Sequence, residues 1–305
     1  MDLQLDQLRA LDAVLTAGTF DGAARRLNVT PSAISQRIKA LEEAAGRILV
    51  QRSKPVRATE SGLAVLRLAR QVELLAGDTA RELGDADRPA GRPARIPIAV
   101  NADSLETWVL PALARVSGTI CFELHREDEE HTTRLLRDGT VMAAITATAT
   151  PVQGCKVEPL GAMRYQPLAR PDFAEHWFPG GARPGSYARA PMIQFDRKDD
   201  LQFRHVRGRS PDPIDPPTHF VPSSNAFGDA VRLGMGWGML PDLQTENDRA
   251  AGTLVNVDGR SRIDVPLYWQ QWKLDSPALS ATARAIAAAA ADKLIQPEPP
   301  RRTVT

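Results

Sequence analysis

The chain has 305 residues, of which 43% are hydrophobic and 25% charged, and its formal net charge at neutral pH is +1. This length exceeds the usual size of one domain, so we expect two or three domains with separate hydrophobic cores. The first ten residues are acidic where a signal peptide would be basic, and no apolar run approaches the length of a membrane span. We therefore expect a cytoplasmic protein that does not contact a membrane.

The two cysteines, Cys121 and Cys155, stand in apolar contexts and lack the spacing of metal ligands. We expect both to be reduced, buried packing residues. The five histidines are scattered along the chain, so neither a metal site nor a Ser/His/Asp arrangement is indicated. The sequence therefore predicts no catalytic residue, no metal and no cofactor.

Positive charge is concentrated in one segment. Between positions 25 and 57 the chain carries eight Lys and Arg residues against only Glu42 and Glu43, a local excess of six positive charges. A basic patch confined to one part of a neutral protein is typical of a nucleic-acid-binding module. A solvated basic surface without a partner is the alternative on charge alone.

The first fifty residues predict three helices. Apolar residues at helical spacing predict a helix over 3–16 that Gly18 ends, and Thr19 is placed to cap a short second helix. Thr30 and Pro31 suit the cap and the first position of a third helix. Its apolar side repeats every three or four residues: Ile34, Ile38 and Leu41. Three helices with a tight turn between the second and the third form a helix-turn-helix.

A wing and a long helix are predicted next. The extended residues around 49–58, interrupted by Pro55, predict a two-stranded wing, and Thr59 opens a helix over 63–83. A helix this long beside a small domain indicates pairing with a second copy, as a homodimer or homotetramer. Its predicted stripe of apolar or small residues is Leu63, Leu66, Ala69, Val72, Leu75 and Thr79. Residues 84–95 have the composition of a linker.

Strands and helices alternate in the rest of the chain. Strands are predicted near 96–102, 120–126, 141–147, 191–195, 218–222, 236–241 and 262–272, with helices between them and a final helix over 278–295. Such alternation favours a mostly parallel, doubly wound sheet. The pattern predicts two α/β lobes with a cleft between them, the last strand and helix returning to the first lobe.

Three features stand out in residues 8–62: the segment AARRLNVTPSAISQRIKALE, the basic residues of the wing, and TESG at the start of the long helix. With these features, the run resembles the winged helix-turn-helix of LysR-type transcriptional regulators. The resemblance implies an N-terminal DNA-binding domain, a dimerising linker helix and a two-lobed α/β effector domain like that of periplasmic binding proteins. Its implied partners are double-stranded DNA, a small-molecule effector and RNA polymerase.

Four further segments are similar to the lysine- and arginine-responsive subgroup called ArgP or LysG: SQRIKALE, AVNADSLETWVLPAL, FDRKDDLQ, and VPSSNAF with the GMLP that follows it. This similarity implies a basic amino acid, lysine or arginine, as effector and activation of an amino-acid exporter gene as the role.

The expected domains follow from the pattern and the resemblance together. They are a winged helix-turn-helix over 1–58, a dimerising linker helix over 59–84, a hinge over 85–95, an effector domain over 96–296 and a tail over 297–305. The two lobes of the effector domain are expected at 96–166 plus 268–296, and at 167–267.

The residues expected to contact DNA lie on the third helix and the wing. The start of a helix in the major groove reads base edges, while cations, hydroxyls and backbone N–H groups hold phosphates. We assign Ser32, Gln36 and Arg37 to the groove, where the short Ser35 allows close approach. Thr30 is the cap and a phosphate ligand. The cations that complete the set are Lys39 on the helix and Arg52, Lys54 and Arg57 on the wing. For each residue alone, a solvated surface is the alternative.

The residues expected to bind the effector stand at predicted strand ends, where open α/β sheets place their ligands. Asp103, Glu106 and Asp196 are the candidate acids for a cationic side chain, and Tyr165 is a candidate wall. Ser104, at a helix start, and Thr146 are candidate polar ligands for the carboxylate end. The alternatives are a helix cap for Ser104, a surface ion pair for Asp196 and core packing for Tyr165.

This function has three alternatives. The string LGMGWGML contains GxGxG but follows a helix-like segment and runs into a strand, which is the reverse of a dinucleotide fingerprint, so no enzyme is expected. An architectural protein that coats DNA without a ligand would have no use for the C-terminal two-thirds of the chain. The third alternative is a LysR-type regulator that responds to a different small metabolite.

Overall fold

The structure, a computed structural model, describes residues 3–83, 93–126, 129–207 and 214–297. Its first unit comprises α1 (Leu5–Ala17), α2 (Phe20–Leu27), α3 (Pro31–Ala45), β1 (Val50–Gln51) and β2 (Arg57–Ala58). The predicted caps are confirmed, because the Thr19 and Thr30 hydroxyls accept the N–H groups of Gly22 (3.0 Å) and Ala33 (3.2 Å). Gly18 ends α1 in the left-handed conformation, at φ 67°.

The core of this unit forms where α3 packs on α1. The predicted apolar side of α3 is confirmed, since Ile34, Ile38 and Leu41 are fully buried. The wing pairs β1 and β2 as an antiparallel hairpin. The Glu42 carboxylate of α3 accepts the N–H groups of Leu49 (2.8 Å) and Val50 (3.3 Å), which fixes the wing to the third helix.

The long helix α4 (Glu60–Glu82) begins at its predicted cap, where the Thr59 hydroxyl accepts the Gly62 N–H at 3.0 Å. Leu66 and Ala69 of the predicted stripe are buried in the core of the first unit, while Leu74 belongs to the core of the second. One helix therefore contributes to two cores. Residues 84–92 of the predicted linker and 298–305 of the predicted tail lie outside the described residues.

The second unit is built on strands, which follow one another along the chain as β3 (Ala94–Val100), β4 (Ile120–Arg126), β5 (Ala143–Thr146), β6 (Cys155–Ala169), β7 (Met192–Gln194), β8 (Thr218–Phe220), β9 (Gly238–Pro241), β10 (Val255–Asn256) and β11 (Ile263–Trp272). Seven of the described strands form one sheet in the order β10-β6-β11-β5-β3-β4, with β9 also paired to β6. The strands β7 and β8 form a separate parallel pair.

The expectation of a mostly parallel sheet is wrong. In the large sheet only β3 with β4 and β3 with β5 are parallel, whereas β11 runs antiparallel to β5 and β6, and β9 and β10 run antiparallel to β6. The physical reason is the long pairing of β6 with β11, from Ile263 opposite Tyr165 to Trp272 opposite Cys155. These two strands extend across both predicted lobes.

The helices of the second unit are α5 (Ala102–Ser104), continued by a π-helical turn (Leu105–Val109) and α6 (Leu110–Ala114), then α7 (Glu129–Arg137), α8 (Pro171–Trp177), α9 (Pro184–Tyr187), α10 (Leu201–Arg207), α11 (Ser224–Arg232), α12 (Asp242–Ala251) and α13 (Pro277–Lys293). As predicted, the last helix returns to pack on α6 and β6. The GxGxG string is a helix end that leads into β9, with Gly234 at φ 79°.

The two cysteines differ from each other. Cys155 is buried as predicted, and burial raises the pKa of its thiol to about 11. The prediction that Cys121 is buried is wrong, because this residue is exposed. Cys121 lies on the edge strand β4 next to the buried Ile120, and successive side chains of a strand point to opposite faces.

Among the described residues, no helix has both the length and the apolar character that crossing a bilayer requires. Within the same residues, no group of three or more His, Cys, Asp or Glu side chains is arranged to share a metal ion.

Candidate functional site

The predicted DNA-contacting residues form an exposed polar surface on the first unit. On α3, Ser32, Gln36 and Lys39 are exposed, whereas Ser35 and Arg37 are partly buried; on the wing, Arg52, Lys54 and Arg57 are all exposed. The Thr30 hydroxyl is engaged in capping α3. The buried side of α3 packs into the core of the first unit, so its polar side faces outward.

Three of these cations already have intramolecular contacts. Arg37 Nη2 lies 3.2 Å from Asp6 Oδ2, Lys39 lies 3.8 Å from Glu43, and the Arg52 guanidinium stands 5.6 Å from the centre of the Phe20 ring. Exposed ion pairs of this kind contribute at most about 1 kcal/mol. A phosphate or base edge can therefore replace Asp6 as the partner of Arg37 at little cost.

Replacing Arg37 with alanine is expected to lower the affinity for a DNA duplex by about tenfold, because one charge-assisted contact is lost. The slope of log affinity against log salt concentration should fall by about one, since one fewer counterion is released. Fluorescence anisotropy across a salt series measures both quantities. Unchanged affinity and slope would remove Arg37 from the DNA-contacting set.

A cavity of about 490 Å³ lies in the second unit. Four of the six residues predicted to bind an effector line it: Asp103, Thr146, Tyr165 and Asp196. Its wall is built from α5, the ends of β4, β5 and β9, the turn after β7, the middle parts of β6 and β11, and side chains of α7, α10, α11 and α12. Strand ends and helix starts thus converge on one space, as the rule for α/β sheets predicts.

Asp103 is held in the cavity wall by two hydroxyls from different elements. Tyr165 Oη donates to its Oδ2 at 2.7 Å, and Ser224 Oγ donates to its Oδ1 at 2.6 Å. Burial, followed by the negative charge of Asp103, raises the pKa of Tyr165 well above its usual value, so the phenol keeps its proton and donates. A carboxylate accepts about four hydrogen bonds, so Asp103 retains acceptor capacity for a ligand.

A second carboxylate, Asp199, lines the same cavity. Its oxygens accept the N–H groups of Phe195 (3.0 Å) and Leu201 (3.1 Å). Burial is the main cause that raises the pKa of Asp199, and the negative charge of Asp103 adds to it. A cation placed beside both carboxylates offsets this negative charge and favours the ionised form of Asp199.

The other predicted residues have different surroundings. Ser104 is fully buried and does not line the cavity, and its N–H is donated to Asn101 Oδ1 at 2.8 Å, so Asn101 caps this helix. Glu106 is exposed outside the cavity and accepts a bond from Asn225 Nδ2 at 2.7 Å. The Asp196 carboxylate accepts the N–H groups of Lys198 and Asp199, which shapes the turn after β7 at the cavity wall.

Several residues of the cavity wall were missed by sequence reasoning: Arg126, Asp199, Gln202, Arg204, Ser224 and Gln244. Asp199 and Ser224 stand in FDRKDDLQ and VPSSNAF, the segments that carried the subgroup resemblance. Their position in those segments was the available signal. The wall consequently holds both anionic and cationic side chains, which is what a zwitterionic ligand requires.

One long helix joins the helix-turn-helix unit to a domain with a polar ligand cavity. This arrangement defines the class of the protein as a ligand-responsive transcriptional regulator. Residues 5–63 match the family described as "Bacterial regulatory helix-turn-helix protein, lysR family", and residues 90–291 match "LysR substrate binding domain". The chain belongs to the LysR family of transcriptional regulators.

Individual LysR-type regulators are similar to this chain over nearly its whole length. The chain is 45% identical over 292 residues to the HTH-type transcriptional regulator LysG of Mycobacterium tuberculosis, covering 95% of each chain. It is 41% identical to the lysine export transcriptional regulatory protein LysG of Corynebacterium glutamicum, covering 94% of this chain and 98% of that one. Full-length C. glutamicum LysG with bound effector Arg superposes with a TM-score of 0.77 at 38% identity, covering 96% of this chain and all of that one.

Proposed function

We propose that this regulator binds a basic amino acid, L-arginine or L-lysine, in the cavity, and that the bound effector controls transcription of an amino-acid exporter gene. The observation that carries the proposal is the pair of carboxylates Asp103 and Asp199 in the cavity wall, one of them oriented by two hydroxyls. The names of the LysG relatives, with lysine export and a bound Arg among them, support the same assignment.

The wall offers complementary groups for each end of such an effector. Asp103 and Asp199 accept N–H bonds from a guanidinium or ammonium group, and opposite charges attract strongly in a partly desolvated site. Arg126 and Arg204 also line the cavity and are suited to the α-carboxylate. Thr146, at the end of β5, adds a hydroxyl to the wall. The proposed effector site therefore comprises Asp103, Thr146, Tyr165 and Asp196 from the sequence, with Asp199 and Ser224 added; Ser104 and Glu106 lie outside the cavity and are not part of it.

The DNA-binding half of the proposal places α3 in the major groove, with Ser32, Gln36 and Arg37 at base edges and the wing cations on the backbone. A homodimer or homotetramer would be formed through α4, on which Leu68 is exposed, as is Leu83 directly after it. We propose that the protein acts in the cytoplasm on double-stranded DNA, with RNA polymerase as its partner and without catalysis. The lobes at 96–166 plus 268–296 and at 167–267 would close on the effector.

A thermal-shift screen of the twenty amino acids tests the proposal. Binding to the native state raises its stability by RT ln(1 + [L]/Kd), so the effector should raise the unfolding temperature. We expect stabilisation by L-arginine and L-lysine, with L-citrulline, which is neutral but of the same shape as arginine, as the matched negative control. Stabilisation by none of the basic amino acids, or equal stabilisation by citrulline, would overturn the proposed effector class.

The affinity for L-arginine is expected to fall as the pH is lowered. The pKa of Asp199 is raised in the folded protein, and a cation binds the ionised form, so protonation competes with the effector. The decline should begin at a higher pH than the ordinary aspartate pKa would produce. Isothermal titration calorimetry across a pH series measures it, and Asp199→Asn should flatten the curve. A wild-type curve that matches the variant's would contradict this role for Asp199.

A further inference from the structure

One arginine of the long helix contacts both halves of the protein. Arg70 Nε donates to Asp12 Oδ1 of α1 at 2.9 Å, and its Nη1 donates to the Gly139 carbonyl of the second unit at 2.7 Å. Only 19% of the Arg70 side chain is exposed. The guanidinium is a planar, preorganised fork of donors, so one side chain fixes both contacts in a defined geometry.

A neighbouring arginine holds the same turn. Arg67 Nη1 donates to the Arg137 carbonyl at 3.2 Å, and Gly139 adopts φ 72° against the Arg67 backbone. A Cβ on Gly139 would lie 2.6 Å from Arg67 Cβ, so no larger residue fits there. The last carbonyls of a helix lack partners within it and attract cations. Arg67 and Arg70 therefore hold the carboxyl end of α7 against α4.

The other part of α7 borders the cavity. Thr132, in α7, is buried and lines the cavity wall, and so does Arg126 at the end of β4, the strand that precedes this helix. From Thr132 to Arg137 the helix rises by only about 7.5 Å. The cavity wall and the carbonyls that the two arginines hold thus lie within two turns of each other on one short segment.

We propose that the Arg67 and Arg70 contact with the end of α7 is the joint through which occupancy of the cavity reaches the DNA-binding unit. Effector binding shifts α7, the hydrogen bond between Arg70 and the Gly139 carbonyl is rearranged, and the bond from Arg70 to Asp12 carries the change to α1. This inference rests on the proposed function, because it needs a ligand in the cavity. Such coupling requires that the ligand favour one arrangement of the joint over the other.

Hydrogen–deuterium exchange of the full chain, with and without saturating L-arginine, tests the joint. In the wild type, L-arginine should change exchange around the cavity and also in α1. In Arg70→Gln the response around the cavity should remain and the response in α1 should disappear. The matched control is Arg9→Gln, which removes another α1–α4 ion pair, Arg9 with Glu73 at 2.9 Å, and should keep both responses.

Asp12→Asn weakens the same contact at its other end, by removing the carboxylate that accepts from Arg70, and should also abolish the α1 response. With two variants, the test does not depend on the folding of either one. The inference is overturned if Arg70→Gln or Asp12→Asn retains the wild-type α1 response, if Arg9→Gln loses it, or if the wild type responds only around the cavity. This last result leaves effector binding intact. A wild type without any response to L-arginine, around the cavity included, instead overturns the proposed function and the joint with it.

Discussion

Replacing Asp103 with asparagine is expected to weaken L-arginine binding by about two to three orders of magnitude. The carboxylate is oriented by Tyr165 Oη and Ser224 Oγ, and asparagine keeps its shape but removes its negative charge. Removing one partner of a buried, hydrogen-bonded charge pair typically costs about 2–5 kcal/mol, which corresponds to this loss of affinity. Isothermal titration calorimetry at neutral pH measures it.

Glu106→Gln is the matched control for that experiment. Glu106 belongs to the same stretch of the chain and was an equal candidate from the sequence, yet it is exposed outside the cavity and bonds to Asn225. Its replacement should leave the Kd for L-arginine near the wild-type value. If Glu106→Gln lost affinity while Asp103→Asn retained it, the cation site would have to be moved out of the cavity.

The second large effect is expected from Gly62→Ala, which should lower the free energy of unfolding of the DNA-binding unit by about 3 kcal/mol. A Cβ at this position would lie 2.0 Å from the Leu49 carbonyl oxygen. That carbonyl accepts the Thr59 N–H at 3.0 Å, so the wing and the start of α4 must both move to make room. Overpacking that forces backbone shifts costs about 1–3 kcal/mol or more.

Gly77→Ala, in the same helix, is expected to have the opposite effect and to be stabilising. Its added Cβ would meet only Arg81 Nη1, at 3.8 Å, and alanine favours a helix over glycine by about 1 kcal/mol. Hydrogen exchange of the Ile34 and Ile38 amides reports the stability of the unit for both variants. Equal effects of the two substitutions would show that the contact with Leu49 does not limit the packing of α4.

The local features of the first unit were predictable because they depend on neighbouring residues. A Thr hydroxyl caps the N–H group two or three residues later, so Thr19, Thr30 and Thr59 mark three helix starts in the sequence itself. The buried side of α3 follows from the spacing of its apolar residues. The contact of Arg37 with Asp6 joins residues 31 positions apart, and no periodicity indicates it.

The cavity was predictable only in part, for the same physical reason. Asp103 follows β3 and Thr146 ends β5, and the carboxyl ends of these parallel strands meet at one edge of the sheet, so their proximity could be predicted. Ser224 reaches Asp103 across 121 positions, and the direction of β6 and β11 depends on a pairing that neither strand encodes alone. The alternation of strands and helices therefore predicted an α/β class for the second unit correctly. It did not predict that most strand pairs in the large sheet are antiparallel.

The central claim is that a basic amino acid bound in the cavity changes how the helix-turn-helix engages DNA. DNase I footprinting tests it most directly, on duplexes selected with the purified protein from genomic fragments, in the presence and absence of L-arginine. We expect L-arginine to change the extent or the affinity of the protected region, and Asp103→Asn to abolish that change while still binding DNA. Identical footprints and affinities with and without L-arginine and L-lysine would contradict the claim.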